Sequence, residues 1–246
     1  INVVVKTPGE IDEIFDRISY DKGGSVLHML EDFVGEDNFQ KGLSEYLKKF
    51  AYKNATKDDL WNAIAQVYKN KLVVPVVEKM ITLPGYPVIE VSKDTKGYVL
   101  CQKRFTLLPA QHKEQWPVPI TYITTAGKVK KIILQQKRLS FSESSPGIKL
   151  NHAQHGFYRV KYNPELLSAL GEAIVHQKLS SLDAVGIEND LFAFMVAGEY
   201  SVQEYLAFVE AYCLDARYPL DVSVSGHLGW LFQAGYTVSF GANVRR

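Results

Sequence analysis

Pro84-Gly85-Tyr86-Pro87-Val88-Ile89-Glu90-Val91 is the stretch at which the chain changes its period. Two prolines and a glycine within four residues break any helix. Before the break, apolar residues recur every three or four positions. After it, short β-branched and aromatic blocks alternate with Gly, Pro and Asn. The break predicts a helical segment up to about Pro84, then a small antiparallel sandwich or barrel to about Tyr162.

Working upstream, Val26, Met29, Leu30 and Phe33 form one helical stripe, with Gly35 placed to stop it. Phe39, Leu43, Tyr46, Leu47 and Phe50 form a second, and Lys48 and Lys49 suit its negative C-terminal end. Thr56-Lys57-Asp58-Asp59 opens a third helix, with Thr56 as cap and two aspartates at the positive end. Leu60, Trp61, Ile64, Ala65 and Val67 supply its apolar face. Val73 to Ile81 stays open between helix and strand. Pro75 suits a first helical turn and is awkward in a central strand.

Downstream, strands are expected at residues 88–91, 98–102, 120–124, 131–134, 139–141 and 157–162, with turns at Ala126-Gly127 and Pro146-Gly147. Pro117 and Pro119 belong on an edge or at a strand start. From Pro164 the helical period returns, over residues 164–175, 181–195, 202–213 and 220–232, with Gly198 as a stop. Val238-Ser239-Phe240 in the tail is strand-like and breaks that pattern.

The chain has 246 residues, 46% hydrophobic and 22% charged, so a sizeable core is expected and disorder is not. A net charge of +1 argues against a dedicated nucleic-acid binder. Lys128-Val129-Lys130-Lys131, with Lys137-Arg138 behind it, reads as the wet face of a strand rather than a phosphate-binding patch. No stretch approaches the roughly 20 apolar residues of a membrane span. Two cysteines, Cys101 and Cys213, form no CxxC and no disulfide framework, which fits a reducing, cytoplasmic compartment. Cys101 reads as a buried, inert thiol. The start, Ile1-Asn2-Val3-Val4-Val5-Lys6, has neither an initiator Met nor the form of a signal peptide, so a processed or truncated N-terminus is expected.

Chemistry-bearing motifs are sparse. The six histidines, His28, His112, His152, His155, His176 and His227, include no HExxH, whose spacing would aim two imidazoles from one helix face at a metal. His152 and His155 read as loop or surface residues rather than a metal pair. There is no GxSxG and no phosphate loop. Glu31-Asp32 and Asp58-Asp59 read as solvated helix faces, not acid/base dyads. No metal ligand is assigned. Tyr20 remains: a tyrosine hydroxyl is a neutral donor that can stabilise a developing oxyanion. It is also one of 14 tyrosines, and packing is the plainer reading of its local sequence.

Tyr20 stands in Phe15-Asp16-Arg17-Ile18-Ser19-Tyr20-Asp21-Lys22-Gly23-Gly24-Ser25-Val26-Leu27, which resembles the segment downstream of the zinc site in M1 family zinc aminopeptidases, the gluzincins. Tyr52-Lys53-Asn54-Ala55-Thr56-Lys57-Asp58-Asp59-Leu60-Trp61 resembles the family's next helix entry, and Pro84 to Ile89 its exit from the peptidase domain. Trp116-Pro117-Val118-Pro119-Ile120 and Gly156 to Tyr162 resemble strands of its sandwich. Ser181-Leu182-Asp183 with Asp190-Leu191-Phe192 resembles the start of its helical domain. The order of these motifs along the chain makes the match, and it looks closest to the microbial cytosolic branch that includes the tricorn-interacting aminopeptidases. Some positions depart from the pattern: a tryptophan expected around Met80 and Ile81 is absent, and Ala184 stands where arginine is common.

The resemblance implies an α+β multidomain chain: residues 1–84 the helical tail of a thermolysin-like peptidase domain, 85–163 a small antiparallel β-sandwich, 164–246 the truncated start of a C-terminal helical array. It implies a parent enzyme that hydrolyses N-terminal residues from peptides with zinc, a glutamate base and a GxMEN loop for the free amine. Of these roles only the oxyanion donor carries over, onto Tyr20. The zinc ligands and base would lie upstream of Ile1, in domains expected to pack on 1–84, and the chain alone is expected to be inactive and to bind no zinc. Gly23 and Gly24 imply either close backbone packing near the active site or a loose helix start. Two other readings stay open: a non-catalytic binding or scaffold module on the same framework, and an unstable truncation with exposed apolar surface.

Overall fold

The computed structural model describes residues 7, 18–108, 113–213 and 218–236. The initial Ile1–Lys6 run, Phe15-Asp16-Arg17, His112 and Val238-Ser239-Phe240 lie outside the described residues. Two compact units result: Ile1–Phe105 with Gln111–Arg159, and Thr106–Ala110 with Val160–Arg246. The architecture is α+β, with helices before and after two small antiparallel sheets.

The first unit opens on a π-helical turn, Ile18–Lys22, that runs directly into α1 (Gly23–Val34). Val26, Met29, Leu30, Phe33 and Val34 are buried, and Gly35 ends the helix at φ 84°, its amide donating to the Glu31 carbonyl. Only glycine adopts that φ without strain. α2 (Glu36–Lys49) has Glu36 and Asp37 in its first turn and Lys48 and Lys49 in its last. In α3 (Lys57–Tyr68) the Asp59 carboxylate accepts from the Thr56 amide at 2.9 Å and the Thr56 hydroxyl at 2.8 Å. α2 and α3 touch at Gly42, where a Cβ would sit 2.8 Å from the Ile64 Cα. The stretch left open by its period is a helix, α4 (Val73–Thr82), with Pro75 in the first turn, where its missing N–H disturbs nothing. Val73, Val76, Val77, Met80 and Ile81 bury its inner face.

Six strands follow in this unit: β1 (Pro87–Asp94), β2 (Gly97–Arg104), β3 (Val118–Thr124), β4 (Val129–Leu134), β5 (Arg138–Phe141) and β6 (Ile148–Leu150). β2 lies between β1 and β5, and β3 between β4 and β6, all antiparallel. The Phe141 ring joins the sheets, 6.0 Å from Tyr98 and 5.6 Å from Tyr122. Pro119 is near the start of β3, opposite Ile133; β6 meets β3 only at Tyr122, Ile123 and Thr124, so the missing amide breaks no bond to β6. β6 was not legible: three residues centred on Lys149 carry no period. Lys149 is nonetheless buried, its ammonium donating to the Asn151 carbonyl at 2.6 Å. Cys101 corrects its sequence reading, being half-buried rather than buried. It shares β2 with Gln102, whose inward side was masked by a polar name.

Gln102 is 3% exposed. Its amide nitrogen donates to the Trp116 carbonyl at 2.9 Å and the Gln136 carbonyl at 2.8 Å, and its oxygen accepts from the Trp116 amide at 2.9 Å. It thus satisfies three backbone groups from two connecting segments. Gln102→Leu is close to isosteric and strands all three. It is expected to destabilise the first unit by about 2–4 kcal/mol, since each unsatisfied buried group costs roughly 1–3 kcal/mol and some of that relaxes. Urea unfolding followed by tryptophan fluorescence measures it; a midpoint equal to wild type contradicts it.

The chain leaves the first unit within β7 (Arg159–Tyr162). The second unit is helical: α5 (Pro164–Val175), α6 (Ser181–Val196), α7 (Val202–Tyr212) and α8 (Tyr218–Tyr236). Asn163, Ser180 and Ser201 cap the first three through side-chain oxygens, and Pro164 stands at the first helical position. These are the residue types the N-terminus demands. Gly171 lets α5 approach α7, for a Cβ there would lie 2.5 Å from the Tyr212 ring. Among the described residues no helix is long and apolar enough to cross a membrane.

Candidate functional site

Tyr20 is at the middle of the π-helical turn and is 62% exposed. A π turn inserts one extra residue into the helical ladder, and such turns recur at functional sites because they aim one side chain out of the regular phase. The Ser25 hydroxyl donates to the Asp21 carbonyl at 2.7 Å, closing the turn onto α1. Lys22, in the same turn, is half-buried. Its ammonium donates to the carbonyls of Leu83, at 3.3 Å, and Gly85, at 3.2 Å, in the corner between α4 and β1. Burial, and then the nearby Arg104, push the Lys22 pKa down. A Cβ on Gly24 would meet nothing within 4 Å among the described residues.

Three turns along, α1 is fastened to the sheet. The Thr121 hydroxyl donates to the Asp32 carboxylate at 2.5 Å, and Lys131 and His155 reach the same carboxylate at 3.1 Å and 3.3 Å. Lys131 also donates to the Asp32 carbonyl. The sequence reading of Glu31-Asp32 as a solvated face is therefore corrected for Asp32, whereas Lys131 is exposed, as its reading expected. Local sequence could not show this, because Thr121, Lys131 and His155 are 89, 99 and 123 positions away. Burial alone would raise the Asp32 pKa; the hydrogen bonds from Thr121, Lys131 and His155 outweigh it and hold it below the usual carboxylate value. A depressed folded pKa contributes stability that is present above the unfolded value of about 4 and lost as pH falls through the folded one. Asp32→Asn is thus expected to be less stable than wild type at neutral pH, with the gap closing toward pH 2. A gap that stays constant across pH removes the carboxylate's charge from the account.

Of the histidines, His28 and His155 come together, ring centroids 4.5 Å apart at 58°. His155 is committed to Asp32, and Asp32 to Thr121 and Lys131 as well. An ammonium in that shell opposes a cation. Among the described residues no group of three or more His, Cys, Asp or Glu is arranged to hold a metal ion, so these residues do not fit zinc. An open groove of about 810 Å³ between α2 and α3 is lined by Lys41, Lys48, Lys49, Lys69, Glu45 and Asp59 among others, a solvated mixture of both signs that includes neither Tyr20 nor Lys22.

In the second unit a buried polar cluster fastens the helices together. Glu188 is fully buried. It accepts from the Tyr205 hydroxyl at 2.5 Å and the Ser223 hydroxyl at 2.6 Å, and the His227 Nδ1 is 2.7 Å away. The His227 ring stacks on Phe192 at 3.7 Å. Burial, and then the Glu188 charge, push the Cys213 thiol up to about 12, far from the range of a nucleophile.

Residues 1–80 match the family model of the peptidase family M1 domain, and residues 147–229 that of the ERAP1-like C-terminal domain. Tricorn protease-interacting factor F2 of Thermoplasma volcanium is 40% identical over 232 residues, covering 94% of this chain and 29% of that protein. Leucyl aminopeptidase of Saccharolobus solfataricus is 40% identical over 207 residues, 83% of this chain and 26% of its own length. Aminopeptidase M1-C of Oryza sativa subsp. japonica is 37% identical over 243 residues, 93% and 27% respectively. The chain spans less than a third of the length of these curated relatives.

Proposed function

The chain belongs to peptidase family M1, and from that premise we propose that it forms part of a zinc-dependent aminopeptidase that releases N-terminal residues from peptides, to which it contributes Tyr20 as the oxyanion donor. The observation that carries the assignment is an exposed tyrosine on a π turn that Lys22 ties to the Leu83 and Gly85 carbonyls. In this reading the Tyr20 O–H donates to the carbonyl oxygen of the scissile bond as that oxygen gains negative charge. The proton stays on the tyrosine, and the bond strengthens as the tetrahedral intermediate forms. The ligands of the zinc, which polarises the carbonyl and activates water when bound, and the general base are assigned to parts of the enzyme outside residues 1–246, as is the surface that covers 1–84. The change from helix to strand at Leu83–Pro87 and the return to helix at Pro164 support a division into 1–84, 85–163 and 164–246, the first two sharing most of one compact unit. The two free thiols fit a cytoplasmic location.

The test is to purify residues 1–246 beside the complete enzyme, and to assay both on an aminoacyl amide with zinc and with a chelator. Chelator-sensitive turnover is expected only in the complete enzyme, with zinc stoichiometry near zero in 1–246. Turnover by 1–246 that falls with Tyr20→Phe overturns the assignment of zinc and base elsewhere. Absence of turnover from the complete enzyme overturns the activity.

A further inference from the structure

We propose that Lys22 is a positioning residue for Tyr20, locking the phase of the π-helical turn against the corner between α4 and β1. The proposal rests on the oxyanion role of Tyr20.

Lys22 is the last residue of the turn and two positions from Tyr20. Its two carbonyl partners lie 61 and 63 residues away, so the contact is a long-range tether and not a local cap. The corner that receives it is itself fixed. Gly85 holds φ 79°, and a Cβ on it would stand 2.6 Å from the Arg104 Nε. The Tyr86 ring, next in line, stacks on Phe105 at 5.3 Å and meets Phe157 at 5.4 Å. Arg159 donates to the Tyr86 hydroxyl at 3.2 Å, and the Lys22 ammonium lies 5.8 Å from the centre of the Phe157 ring. An ammonium brings three donors, and two are spent on carbonyls held by this aromatic cluster.

The π turn is what needs the tether. Relaxing it to an α turn removes the extra residue and re-phases everything N-terminal to it by one position, about 100° around the axis. Tyr20 would then swing away from any oxygen it serves. α1 itself does not need Lys22, since its inner face is set by Val26, Met29, Leu30, Phe33 and Val34. Loss of the tether therefore displaces the donor more than it unfolds the helix.

The experiment is a double-mutant cycle in the complete enzyme, with kcat and KM for an aminoacyl amide and the thermal midpoint of each variant. Lys22→Met keeps the stem and removes the donors. It is expected to lower kcat about 10- to 100-fold, the scale of a misplacement of about 1 Å, while KM changes little. In a Tyr20→Phe background the same substitution is expected to add less than about threefold, because it acts only through the missing hydroxyl. Lys22→Arg, which keeps N–H donors for the two carbonyls, should recover most of the lost rate. Equal losses from Lys22→Met in both backgrounds overturn the proposal, as does a kcat for Lys22→Met equal to wild type while Tyr20→Phe is impaired. If Lys22→Met does not fold, Lys22→Arg decides alone: a rate near wild type supports the tether, and a loss as large as that of Tyr20→Phe overturns it. A Tyr20→Phe enzyme with full activity removes the oxyanion reading, and this proposal with it.

Discussion

Tyr20→Phe in the complete enzyme is expected to lower kcat about 10²–10³-fold, the range found when a single oxyanion donor is removed, with little change in KM. The substitution deletes one oxygen and leaves the ring. Tyr20 is 62% exposed, so the lost hydroxyl leaves no cavity. Its position on a turn tied through Lys22 to Leu83 and Gly85 means that the phenylalanine should occupy the same place. The thermal midpoint should therefore stay near wild type while the rate falls. The shape of the pH–rate profile should be preserved and only its height reduced. A drop in the thermal midpoint that tracks the drop in rate would assign Tyr20 to packing instead.

The largest effect on stability is expected at Glu188. Glu188→Ala should cost the helical unit about 3–5 kcal/mol, the scale for breaking a buried charged network by removing one partner. Its carboxylate binds Tyr205 of α7 together with Ser223 and His227 of α8, so a single side chain fastens three helices. Tyr205 is 1% exposed and its hydroxyl has no water to turn to once the acceptor is gone. Burial and then the hydrogen bond to Glu188 already hold the Tyr205 pKa above its ordinary value, so this hydroxyl remains a donor in need of a partner. Cys213, 1% exposed, reports the outcome. In wild type it should resist a thiol reagent, both shielded and with its pKa pushed up to about 12. In Glu188→Ala it should label at denaturant concentrations where wild type does not. Labelling curves that superimpose would contradict the role given to Glu188.

Much of the framework was legible because each signal was local. The period of Val26, Met29, Leu30 and Phe33, the Thr56 cap with its two aspartates and the return of the helical period at Pro164 all act within one or two helical turns, and the structure shows each of them. Glu188 offered a signal that went unused. It stands four residues after Ala184 and three before Leu191, both buried, which puts a carboxylate on the core face of α6. An acid at such a position has to be satisfied by other helices. Asp32 and Gln102 offered no local signal. One partner of Asp32 is 89 residues away, and Gln102 alternates along β2 like a solvent-facing residue until its loop partners close over it. The same holds for Lys22. Its motif is visible in the chain, but the carbonyls that give it a purpose belong to a corner about 60 residues on.

The most direct measurement compares a tetrahedral, phosphinic analogue of the peptide with the free product amino acid as inhibitors of the wild-type and Tyr20→Phe complete enzymes. The account predicts that the phosphinic analogue loses affinity by about the factor lost from kcat/KM, while the amino acid binds both enzymes alike, since the hydroxyl acts on charge that develops only in the transition state. An analogue bound equally by both enzymes would contradict it.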